Sequence, residues 1–82
     1  MRNITPIQIW NNGELKLATK IDIRSLDNNS DYARFTYVLF SDNSEEIATG
    51  EKVMSGDDYS NYTSNDYAYN WLAGKINITL SN

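Results

Sequence analysis

The sequence predicts an α+β fold: a small antiparallel β-sheet of four to five strands in the order β-β-β-β-α-β, with one C-terminal helix, as a single domain over residues 1–82. Three observations carry this. Residues Glu14 to Arg24 alternate strictly, with Leu15, Leu17, Thr19, Ile21 and Ile23 on one side and Glu14, Lys16, Ala18, Lys20, Asp22 and Arg24 on the other, the pattern of a long half-buried strand. Ile7 and Ile9 alternate in the same way just before it, across the turn residues Asn11-Asn12-Gly13. Beyond Ser55 the apolar period changes from that of a strand to that of a helix. A small β-sandwich, with only a helical turn between Ser55 and Asn65, is the alternative.

The hairpin register follows from which side chains share a face. A two-residue loop, Asn12-Gly13, sets Ile9 opposite Lys16 and mixes apolar with charged residues on both faces. A three-residue loop, Asn11-Asn12-Gly13, sets Trp10 opposite Glu14, Ile9 opposite Leu15 and Ile7 opposite Leu17. The apolar-face criterion therefore predicts the three-residue loop, with Gly13 in the left-handed conformation and Trp10 on the outer face beside Gln8 and Lys16.

The segment Tyr32 to Phe40 is apolar or aromatic on both parities and reads as a strand covered on both faces. Asp42-Asn43-Ser44-Glu45 turns into a weaker strand, Ile47 to Met54, which Gly50 interrupts or bulges and which reads as nearer an edge. Ser55, with Asp57 and Asp58 behind it, is a candidate cap for a short helical turn. Ser64 or Asn65 caps a second helix in which Ala68, Trp71, Leu72 and Lys75 form one stripe and Gly74 marks the end. Ile76, Ile78 and Leu80 then alternate as a closing strand.

Composition narrows the chemistry more than the fold does. The chain has no Cys and no His, which removes disulfides, thiolate zinc sites, cysteine nucleophiles and the commonest general base. No catalytic, cofactor-binding or metal residues are expected, and the chain reads as a non-enzyme. The net charge of −4 is uneven: Asp27 to Asp66 holds nine carboxylates against Arg34 and Lys52, while the remainder is net basic. Seven scattered Lys and Arg residues make a poor phosphate-binding surface, so nucleic acid is not an expected partner. No apolar run is long enough for a membrane span, and the N-terminal residues carry no signal-peptide pattern, so the expectation is a chain made in a cytoplasm.

Three groups of residues stand out. Asp27-Asn28-Asn29-Ser30-Asp31 spaces oxygen atoms as a calcium loop does, but has Tyr32 where the sharp turn needs Gly and Val38 where the bidentate Glu belongs. Asp57 and Asp58 are adjacent, diverge on a helix, and serve better as first-turn carboxylates than as an acid–base pair. Tyr59, Tyr62, Tyr67, Tyr69 and Trp71 are read chiefly as core packing, with a protein interface or a sugar- or base-stacking platform as the other uses.

The segments Ser55-Gly56-Asp57-Asp58-Tyr59, Asp66 to Ala73 and Ile76 to Leu80, together with the early Trp10 and the Asn12-Gly13 turn, resemble small virion-associated structural proteins of tailed bacteriophages. The resemblance implies a capsid or tail component, found in the virion, that acts through contacts with other subunits or with itself. No catalytic residue carries over. The residues expected at such contacts are Trp10, Gln8, Lys16, Tyr59 and Tyr62. The competing expectation is a small acidic inhibitor that blocks a basic nucleic-acid-binding surface of a host defence protein, whose binding would fall steeply with salt. A sugar-binding module, resting on the aromatic residues alone, is a third class.

Overall fold

The computed structural model describes residues 1–81. Strands β1 (Arg2–Asn11), β2 (Glu14–Asn28), β3 (Tyr32–Phe40) and β4 (Glu46–Ser55) are followed by helices α1 (Gly56–Ser60) and α2 (Asn65–Lys75) and a two-residue strand β5 (Leu80–Ser81). All pairings are antiparallel, and the strands form one sheet in the order β4-β3-β2-β1-β5. The α+β class, the antiparallel sheet and the C-terminal helix agree with the sequence reading.

The β1–β2 turn does not. Asn11 pairs with Glu14, Trp10 with Leu15, Ile9 with Lys16, Gln8 with Leu17 and Ile7 with Ala18, so the loop has two residues and not three. Asn12 (φ +52°) and Gly13 (φ +85°) both lie in the left-handed region, as a type I′ turn requires, and that turn matches the right-handed twist of the strands. Local turn chemistry overrides the apolar-face criterion. In consequence Ile7, Ile9 and the fully buried Ala18 face the core with Lys16 among them, while Leu15 and Leu17 stay exposed.

β2 serves two partners in succession. Its first half pairs with β1 and its second half, from Lys20 to Asn28, with β3. The register between β1 and β2 shifts between Asn3 and Ile7, opposite the stretch where Ala18 and Ile21 both enter one core cluster despite lying three residues apart. β1 and β4 come into contact although β2 and β3 lie between them in the sheet, so the sheet is strongly curled. β3 is buried on both parities: Ala33, Phe35 and Leu39 on one, Val38 and Phe40 on the other. β4 is one edge strand of the sheet, with a register shift at its start opposite Leu39 and Phe40.

Helix α2 begins where Ser64 Oγ accepts a hydrogen bond from the Tyr67 N–H at 3.2 Å. It buries Ala68, Tyr69, Leu72 and Ala73. It runs through Gly74, contrary to the expected stop there, because Asn77 takes the left-handed conformation (φ +59°) and the Ile78 N–H returns to the Ala73 carbonyl at 3.0 Å. That closure turns Ile78 into the core and reduces the expected closing strand, Ile76 to Leu80, to Leu80 and Ser81, which pair with Ile4 and Asn3. Ser55 precedes α1 with an extended backbone but makes no side-chain cap bond.

Two packed clusters result. One joins Ile4, Ala18, Ile21, Leu39, Ile47 and Ile78 to Tyr69, Leu72 and Ala73 of α2. The other joins Ala33, Phe35, Met54 and Ala68 beneath Tyr59, Tyr62, Tyr67 and Trp71. The Trp71 indole N–H donates to Asp58 Oδ2 at 3.0 Å and ties α2 to α1.

Candidate contact surface

In a two-residue hairpin, directly opposed residues share a face, and pairs alternate between hydrogen-bonded and non-hydrogen-bonded. Trp10 and Leu15 are such an opposed pair, and Gln8 and Leu17 are the next on the same side. Trp10 is 70% exposed, Leu15 60% and Leu17 48%. Three large apolar side chains thus stand together on the outer face of one hairpin, with Gln8 as their polar neighbour. Single exposed leucines are ordinary, but a contiguous exposed group that includes an indole is not.

The five residues expected at contacts divide among three places. Trp10 and Gln8 lie on this outer face. Lys16 does not, because the two-residue turn carries it to the opposite side, where its Nζ donates to Glu45 Oε2 at 2.9 Å and lies 3.6 Å from Glu14. The hydrogen bond to Glu45 raises the Lys16 pKa above its ordinary value. Tyr59 and Tyr62 lie at the far end of β2. The Tyr59 hydroxyl donates to the Asn29 carbonyl, and the Tyr62 ring meets Phe35 edge-on at 5.9 Å and stacks on Tyr67 at 6.4 Å. Their rings cover the second core cluster, and their outer edges, with Asn28, Thr63, Ser64 and Asn65, line an open groove of about 580 Å³.

The sequence reading missed Leu15 and Leu17 as surface residues. The signal was present in the Asn12-Gly13 dipeptide, which is the strongest short-range mark of a type I′ hairpin.

The acidic stretch forms no single surface. Asp27, Asp31, Asp57 and Asp58 lie toward the Asn28 end of β2, whereas Asp42, Glu45 and Glu46 lie at the β3–β4 turn. Several of its carboxylates are paired internally: Glu45 with Lys16, Glu46 with Arg24 at 3.4 Å, Glu51 with Arg34 at 3.6 Å, and Asp66 with Arg2. Asp57 is exposed, and Asp58 is engaged by Trp71. Among the described residues no three His, Cys, Asp or Glu side chains gather in a way that could hold a metal ion, and no helix is long and apolar enough to cross a membrane.

Tyr69 is the most buried phenol. Its hydroxyl accepts from the Ile23 N–H at 3.2 Å and donates to Asp22 Oδ1 at 3.3 Å, and the Arg2 guanidinium lies 4.7 Å from its ring centre. Burial raises its pKa. This arrangement locks α2 onto β2 and presents no reactive group to solvent. No protein-family model, curated protein or solved structure matches this chain.

Proposed function

We propose that this chain is a non-enzymatic interaction domain that works through protein contacts at the outer face of the β1–β2 hairpin. The observation that supports this reading is the cross-strand group Trp10, Leu15 and Leu17, exposed together on one face of the hairpin, whereas Met1, Leu26 and Val53 are exposed on other parts of the chain. An exposed indole flanked by leucines has the composition of an interface centre, where a buried Trp is among the most effective single contacts. The pattern resemblance to virion-associated proteins of tailed phages makes a capsid or tail particle the setting of the proposal.

A photo-crosslinking residue placed at position 10, with a second at the exposed Asn43 on the β3–β4 turn as a control, tests it in cells producing the protein. The reading expects a discrete protein adduct from position 10 that position 43 does not give. Adducts from neither position, or equally from both, would overturn it.

A further inference from the structure

We infer that the partner at this surface is a second copy of the same chain, joined by antiparallel pairing of the two β1 edges. The inference rests on the contact-surface reading and adds its occupant.

Among the described residues β5 pairs with the outer edge of β1 at Asn3 and Ile4, and the Thr5 N–H donates to the Thr79 carbonyl at 2.8 Å. Among the described residues no strand pairs with that edge from Ile7 to Asn11. In a two-residue hairpin the closing pair, Asn11 with Glu14, is hydrogen-bonded, so Ile9 and Ile7 also bond inward to β2 while Gln8 and Trp10 direct N–H and C=O groups outward. An exposed row of this kind is a template for strand addition, and proteins blunt it with charge, proline or a bulge; in β1 the proline, Pro6, and the register shift both lie before Ile7, so the row at Gln8 and Trp10 stays open. The other edge strand, β4, carries Glu46, Glu51 and Lys52. β1 carries no charge from Asn3 onward, and residues 3–13 are the longest uncharged run in the sequence.

A second copy brings the same uncharged edge, and two such edges are self-complementary about a twofold axis without setting like charges together. Two copies each of net charge −4 repel, so they meet most readily where neither brings a charge, and the β1 edge is that place. A twofold axis at Ile9 sets Gln8 of each copy opposite Trp10 of the other as hydrogen-bonded pairs, which satisfies the outward groups of both residues. It also brings the two Trp10, Leu15 and Leu17 groups onto one side of a continuous sheet. Trp10 contributes on the order of 150 Å² of contact area. Stable interfaces bury about 800 Å² per partner, so the side chains need the strand edge to reach a specific dimer.

Sedimentation equilibrium of the purified chain, with amide exchange at Gln8 and Trp10, tests this. The expected result is a dimer at about 0.1 mM that dissociates on dilution. The Gln8 and Trp10 amides should be protected in the dimer and exchange freely in the monomer. Gln8→Pro removes an outward donor and no bond to β2, so it should weaken dimerisation about ten-fold or more. If that variant fails to fold, the concentration dependence of the two amides in the unaltered chain decides. A chain that stays monomeric overturns the self-pairing and leaves the position 10 adduct, then formed with a different protein, to carry the contact-surface reading. A dimer in which both amides exchange freely overturns the edge pairing and leaves the face contact.

Discussion

Tyr37 and Gly50 are cross-strand partners on β3 and β4, and a Cβ at position 50 would lie 2.6 Å from Tyr37 Cζ. The glycine is there for space, since its φ is an ordinary one. Gly50→Ala is expected to cost about 1–2 kcal/mol through displacement of the ring. In a Tyr37→Ala background the same change should cost far less, since alanine is the better strand former once the ring is gone. Urea unfolding of the four chains measures the coupling, and additive effects would show that the ring does not set the requirement.

The turn makes a second prediction. Gly13 at φ +85° rejects a β-branched side chain, so Gly13→Val should lower stability by about 1–2 kcal/mol. Asn12→Gly should be nearly neutral, because both residues accept the left-handed conformation. Thermal midpoints of the two variants test this, and an unaffected Gly13→Val would rule out the type I′ turn.

Asp58 and Asp57 should separate cleanly although they are neighbours. Asp58→Ala leaves the half-buried Trp71 N–H without its acceptor and is expected to cost about 1–2 kcal/mol. Asp57→Ala, at an exposed position, should stay within about 0.5 kcal/mol. Equal losses in chemical denaturation would assign the effect to the charge of the first helical turn instead.

Stability should fall at alkaline pH. Burial holds the Tyr69 pKa above its ordinary value of 10.0, so the folded chain keeps that proton more tightly than the unfolded chain. The stabilisation is complete below the unfolded pKa and is lost as pH rises through the raised folded value. Lys16, also raised by its bond to Glu45, acts in the same direction above its ordinary 10.5. Thermal midpoints from about pH 8 to about pH 11 should decline, less steeply in Tyr69→Phe. That variant should also lose about 1 kcal/mol at neutral pH, where the Ile23 N–H and Asp22 give up a partner. An unchanged alkaline slope would place the titrating group elsewhere.

The local patterns of this chain determined its elements. Alternation along Glu14–Arg24 and the doubly apolar run Tyr32–Phe40 specify strands by themselves, and Ser64 marks the start of α2, because these signals depend on backbone period and nearest neighbours. Two outcomes were contests between competing signals. The hairpin register set local turn geometry against the burial of Leu15 and Leu17, and alternation cannot reveal that the turn prevails, since shifting the loop by one residue moves every side chain on one strand to the other face. The helix end set Gly74 against Asn77, and the latter prevailed because closing there carries Ile78 into the core. Both decisions bear on the contact surface. Trp10 was readable from the sequence as an outward residue; the two-residue turn put Leu15 and Leu17 on its side and took Lys16 off it, and packing over Ile7, Ile9 and Ala18 left that side outward. Long-range packing chose which side of the hairpin is buried, and so which side remains available to a partner.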